Sequence, residues 1–137
     1  MVGLGAAALV HGMWLRGSSW PAADREKLAD LVVGRRPFPG PGATSAVTVL
    51  LGAATAVTAV RAGLLPLPGG RSAGPVRVAA KILVATLVAR GAGGLVVSGL
   101  GLGDVTPEFR RWDIRLYSPY CLALGLAVAL ASRSELR

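Results

Sequence analysis

The chain has 137 residues, of which 53% are hydrophobic and 16% charged, and its formal net charge is +8. Its mean hydropathy of +0.56 and small charged fraction exclude an ordinary soluble domain, in which ~25% of the residues are charged. One histidine and one cysteine exclude a disulfide and a His/Cys metal cage. The apolar residues form blocks that approach the ~20 residues needed to cross a bilayer, so we expect an all-α integral membrane protein.

The first predicted helix, residues 2–16, is short. At ~1.5 Å per residue it reaches only ~22 Å, so it spans a bilayer only if Arg16 or Trp20 lies at the interface. A cleaved signal peptide is the alternative, but no basic residue precedes the block and no small-residue cleavage site follows it. We therefore predict a membrane helix.

The first loop is predicted to contain a short amphipathic helix on the membrane surface. Pro21 marks its start and Gly34 its end, with Leu28, Leu31 and Val32 at helical spacing between them. The proline- and glycine-rich residues 35–42 then form a rigid turn.

The second predicted helix, residues 42–60, carries no charge and has small or hydroxyl residues at helical spacing. They are Thr44, Thr48, Gly52, Thr55 and Thr58. Such residues let membrane helices approach closely, and threonine hydroxyls bond back to carbonyls of their own helix. We expect this stripe to be a packing face.

The third predicted helix, residues 78–100, holds Arg90 near its middle. A charge near the bilayer centre costs ~2.5–3.5 kcal/mol, so Arg90 is expected to face the bundle and to be paired with Asp113 or Asp104. Whether it ties helices together or anchors a ligand stays open.

The fourth predicted helix, residues 118–132, starts with Ser118 as N-cap and Pro119 at its first position. In the third loop, Thr106 and Pro107 predict a short helix that ends near Asp113. The whole chain, residues 1–137, is thus expected to be one four-helix, multi-pass domain of the cell membrane with both termini on one side. Basic residues are divided between the two sides and do not decide the orientation.

The acidic residues other than Glu135 fall on the loop side, and the aromatics Trp14, Trp20, Trp112, Tyr117 and Tyr120 are expected at the same level. One interpretation is an aromatic belt beside solvated ion pairs. The other is the mouth of a site.

Several blocks together resemble a family of small actinobacterial integral-membrane proteins catalogued as a domain of unknown function. They comprise Trp14, Gly17-Ser18-Ser19-Trp20-Pro21, Ala29-Asp30-Leu31-Val32-Val33-Gly34, Pro39-Gly40-Pro41, Arg111-Trp112-Asp113 and Tyr117-Ser118-Pro119-Tyr120-Cys121-Leu122. The resemblance implies a four-helix membrane fold and no agreed activity. It also implies that Asp113, Tyr117, Ser118 and Pro119 form the family's hallmark.

In architecture the chain is also similar to the small membrane-bound terpenoid cyclases of meroterpenoid pathways. That likeness implies protonation of a prenyl alkene or epoxide by a carboxylic acid, followed by ring closure. Burial keeps such an acid protonated, and aromatic faces stabilise the carbocation.

The leading functional hypothesis is acid catalysis on an apolar isoprenoid or lipid-like substrate. Asp113 is the predicted proton donor and Asp104 or Glu108 its partner. The predicted substrate-binding residues are Trp14, Trp20, Arg90, Trp112, Tyr117 and Tyr120. The alternative is a non-catalytic accessory subunit or lipid-binding module, and transport ranks third. Membrane lipid and an apolar small molecule are the expected partners, a homo-oligomer stays open, and neither cofactor nor nucleic acid is predicted.

Overall fold

The computed structural model describes residues 2–66 and 74–133, and all regular structure within them is helical. The helices are α1 (Val2–Leu15), α2 (Arg25–Val32), α3 (Pro41–Arg61), α4 (Gly74–Gly99), α5 (Pro107–Trp112) and α6 (Ser118–Arg133), with a π-helical segment (Asp113–Tyr117) between α5 and α6. The predicted all-α fold is confirmed. Of the long helices, α4 departs most from its predicted bounds, because it begins four residues earlier than expected.

Three helices are long and apolar enough to cross a membrane. They are α3, α4 and the continuous helix from Pro107 to Ala131, while α1 is apolar but has only 14 residues. Large hydrophobic side chains such as Leu50, Ile82 and Leu126 are more than half exposed on these helices, as expected where lipid replaces water. The chain is therefore a membrane protein with a four-helix bundle.

The contact between α1 and α3 is made by small residues. A Cβ placed on Gly5 would lie 3.7 Å from Thr55 Cγ2, and one on Gly12 would lie 3.9 Å from Thr48 Cγ2. Both threonine hydroxyls donate at 2.8 Å to the carbonyl four residues earlier, which satisfies them inside the bundle. The predicted packing face is confirmed except at Gly52, which is exposed with no atom near its missing side chain.

The contact between α4 and α6 depends on glycine as well. A Cβ on Gly91 would lie 2.8 Å from the backbone oxygen of Ser118, and one on Gly125 would lie 3.1 Å from Val88 Cγ2. Real Cβ atoms rarely or never approach so closely. Because these two positions have no side chain, the backbone of α4 packs closely against α6 at Gly91, and the backbone of α6 packs closely against α4 at Gly125.

The predicted start of the first-loop helix at Pro21 is wrong. The helix begins four residues later because the Asp24 carboxylate accepts the backbone N–H of Lys27 at 2.8 Å and caps it. Gly34, with a φ of +83°, follows its end as predicted. Leu28 and Ala29 are fully buried and α2 packs on α5, so this helix contacts protein on its apolar side.

The predicted N-cap role of Ser118 is also wrong, although α6 begins at that residue as predicted. Thr106 caps α5 as expected, but the chain then stays helical through Asp113 and into α6. The Ser118 N–H bonds to the Asp113 carbonyl five residues earlier, which defines a π turn. Pro119 has no N–H and its ring crowds the carbonyl four residues back, so a widened turn accommodates it without ending the helix.

Candidate functional site

The most concentrated polar contact between the long helices surrounds Asp113. Its Oδ1 accepts hydrogen bonds from Arg90 Nη2 at 2.8 Å and from Ser118 Oγ at 3.0 Å, and its Oδ2 accepts one from Ser98 Oγ at 2.5 Å. Arg90 Nη1 also donates to Ser118 Oγ at 3.3 Å. These four residues are called the Asp113 cluster below.

Backbone geometry brings the cluster together from two helices. Arg90 and Ser98 both lie on α4, while the π turn places the Ser118 hydroxyl on the Asp113 carboxylate. Gly94 lies between them on α4. A Cβ there would be 2.1 Å from Ser118 Oγ and 2.3 Å from Arg90 Nη1, so the cluster requires glycine at this position.

The cluster pairs two opposite charges inside a membrane bundle. The Asp113 side chain is 2% exposed and the Arg90 side chain 43% exposed. Three donors satisfy the Asp113 carboxylate, and the paired aspartate lowers the cost of holding Arg90 in the bundle. Arg90 is thus paired with Asp113, as the cost of a lone charge predicts, although its guanidinium is only partly covered.

The other two predicted catalytic carboxylates lie elsewhere. Asp104 is exposed in the third loop and Glu108 is exposed in the first turn of α5. Neither makes a hydrogen bond or ion pair with any residue in the ranges 2–66 and 74–133. In that part of the chain, no three His, Cys, Asp or Glu side chains come together as a metal site.

The predicted aromatic residues are dispersed. Trp20 and Trp112 are exposed, whereas the Tyr117 hydroxyl donates to the Leu31 carbonyl at 3.3 Å and so ties the π-helical segment to α2. The Tyr120 side chain packs against Gly3, near the opposite end of α1 from the first loop, because a Cβ on that glycine would lie 2.6 Å from the phenol oxygen. Trp14 lines an apolar cavity.

That cavity lies between α1, α3 and the end of α2, and its volume is about 160 Å³. It is called the first-loop cavity and is lined by His11, Trp14, Val32, Val33, Phe38, Pro39, Ala43, Thr44 and Val47. Most of these residues were not predicted. The sequence signal was weak: His11 and Trp14 share a face of α1, and Thr44 and Val47 share a face of α3.

The roof of the first-loop cavity is held by cation and aromatic contacts. Arg25 lies 4.9 Å from the centre of the Phe38 ring, and its Nη1 donates to the Trp14 carbonyl at 3.3 Å. The Trp14 and Phe38 rings meet edge to face at 6.0 Å. These contacts fix the loop over the cavity.

A second ion pair lies on the exposed side of the first loop. Arg36 donates to both oxygens of Asp30 and to Glu26 at 2.7 Å. The Arg36 guanidinium, hydrogen-bonded to Asp30, holds the pKa of that carboxyl below its usual value, while the two carboxylates raise the pKa of Arg36. This bridge joins α2 to the turn that precedes α3.

In residues 2–66 and 74–133, these observations describe a small polytopic membrane protein with a buried ion pair and an apolar cavity. Residues 4–128 match the sequence profile of the family described as "Protein of unknown function (DUF3995)". The match covers most of the chain, which therefore belongs to this family. No curated protein and no solved structure gives a significant match.

Proposed function

We propose that this protein is a non-catalytic membrane module that binds part of an apolar, lipid- or isoprenoid-like molecule in the first-loop cavity. The observation that carries the proposal is the composition of that cavity, about 160 Å³ lined almost wholly by aliphatic and aromatic side chains. An apolar cavity of ~150 Å³ in another protein stays dry and takes up a benzene-sized molecule. A group of about six carbons therefore matches the space.

The position of the cavity supports entry from the bilayer. Ala43 and Val47 line it from α3, a membrane-length helix, and both are exposed. An opening along such a helix faces lipid tails, from which an apolar molecule can enter without crossing water. The remainder of a longer chain can stay in the membrane.

The Asp113 cluster supports a non-catalytic role. Both oxygens of its carboxylate already accept hydrogen bonds, from Arg90, Ser98 and Ser118, so the group is committed to the contact between the helices. In this proposal the cluster stabilises the contact between α4 and α6. The proposed ligand binds instead between α1, α3 and the first loop.

The test is to fill the cavity and measure photolabelling by a short alkyl diazirine in lipid nanodiscs. Ala43→Leu adds a side chain that lines the cavity, and we expect it to lower labelling several-fold. Ala46→Leu is the matched control, because Ala46 is exposed on the same helix and does not line the cavity. Equal labelling of the two variants would contradict the proposal.

Acid catalysis by Asp113 is a second candidate, favoured by one observation. The Asp113 carboxyl is buried, and a carboxylic acid shielded from water by its surroundings can serve as a proton donor. If a substrate reaches this point, a protonated Asp113 would donate to a prenyl alkene or epoxide, as the likeness to terpenoid cyclases implies.

Cyclisation of a linear polyprenyl terminal epoxide, followed by mass spectrometry of the products, tests the second candidate. General acid catalysis contributes ~10²–10⁴-fold, so Asp113→Asn should lower turnover by that factor while Asp113→Glu keeps part of it. Turnover that is unchanged in Asp113→Asn would remove this candidate.

A further inference from the structure

We infer that the ligand of the first-loop cavity carries a hydroxyl group that donates a hydrogen bond to His11 Nε2. This inference rests on the proposed function, because it names the chemical class of the molecule bound there. It assigns a role to the only histidine of the chain.

The position of the proton on His11 follows from its hydrogen bond. Nδ1 lies 2.8 Å from the Ala7 carbonyl oxygen, four residues earlier on α1. A carbonyl oxygen only accepts, so Nδ1 must carry the proton. In the neutral ring, Nε2 is then an acceptor, and it makes no hydrogen bond with any residue the structure describes.

The donor groups of the other polar side chains of the cavity are already engaged. Trp14 Nε1 donates to the Trp20 carbonyl at 2.6 Å, and the Thr44 hydroxyl donates to the Gly40 carbonyl at 3.1 Å. The Trp14 ring also lies 4.7 Å from the His11 ring and so helps to fix it. Among the described lining residues, His11 Nε2 is the side-chain atom that makes no hydrogen bond at all, while the Thr44 oxygen, which already donates its proton, keeps only acceptor capacity.

An acceptor without a partner on a residue that lines the cavity selects among ligands. An alcohol or phenol satisfies Nε2, whereas a ketone, ester or ether has no proton to donate and a phosphate would bring a charge into an apolar space. The volume holds about six carbons. The geometry therefore points to a chain whose end bears a hydroxyl, rather than to the acyl chain of a phospholipid.

Quenching of Trp14 fluorescence tests this inference. Trp20 and Trp112 are exposed, so Trp20→Phe with Trp112→Phe leaves Trp14 as the only emitter, and the backbone carbonyl at position 20 still accepts its N–H. The probes are 6-bromohexan-1-ol and its methyl ether, compared in nanodiscs at equal membrane concentration. A variant that keeps only Trp112 measures collisional quenching from the lipid.

We expect the alcohol to bind about two- to thirteenfold more tightly than the ether, the range that a net hydrogen bond of ~0.5–1.5 kcal/mol gives. His11→Phe keeps an aromatic ring without an acceptor and should remove the difference while both probes still bind. Equal binding of alcohol and ether to the parent protein would overturn the inference but leave the proposed function intact. Failure of both probes to quench Trp14 beyond the lipid control would overturn the proposed function itself.

Discussion

Replacing Arg90 by leucine should destabilise the bundle strongly. Removal of one partner from a buried ion pair costs ~3–5 kcal/mol, because the remaining charge is left without compensation. Here Asp113 is almost fully buried, but Arg90 is 43% exposed, and Ser98 and Ser118 still donate to the carboxylate. We therefore expect the low end of that range, about 3 kcal/mol.

The double variant Arg90→Leu with Asp113→Leu should be more stable than Arg90→Leu alone, because it removes the isolated charge and leaves only apolar groups and two serine hydroxyls. Reversible unfolding in mixed micelles with increasing denaturing detergent measures all three proteins. Arg77→Leu is the matched control, since Arg77 is an exposed arginine on the same helix. If the effects of the two substitutions on the free energy of unfolding simply add, or if Arg90→Leu is as stable as this control, the cluster does not hold α4 against α6.

Two further predictions concern glycine and pH. Gly94→Ala should weaken the α4–α6 contact, since its Cβ would lie 2.1 Å from Ser118 Oγ. The Cβ of Gly93→Ala meets no atom within 4 Å, so this variant should stabilise its helix by ~0.5–1 kcal/mol. Comparison of the two variants in the same unfolding assay checks both expectations. Because Arg36 lowers the pKa of Asp30 from its ordinary 3.8, the bridge contributes fully above that pH and is lost as pH falls through the lowered value. An NMR titration of the Asp30 carboxyl carbon should show its pKa rising towards the ordinary value in Arg36→Gln, and an unchanged titration would mean that the bridge does not form.

Features with local physical causes were predictable from the sequence. The threonine stripe of α3, the glycine that ends α2 and the Thr106 cap of α5 each depend on residues within one or two turns. The pairing of Arg90 was predictable as well, because the cost of an isolated charge in a bilayer leaves few alternatives.

Features that depend on distant partners were not predictable. Serine followed by proline normally starts a helix, but here the Ser118 hydroxyl bonds to Asp113 and the chain passes through a π turn. The first-loop cavity likewise combines α1, α3, the end of α2 and the loop between α2 and α3, so the spacing of residues within any one segment does not predict it. The expected partnership of Asp113 with Asp104 or Glu108 failed to form because those two carboxylates are exposed away from it.

The central claim, that an apolar molecule occupies the first-loop cavity, is tested most directly by locating the photolabel. An alkyl diazirine should be activated with the unmodified protein in nanodiscs, and the modified residues identified by peptide mass spectrometry. We predict adducts concentrated on cavity residues such as Val33, Phe38 and Val47. Adducts confined to outward-facing residues such as Val49 and Leu50, which are each 68% exposed, would contradict the claim.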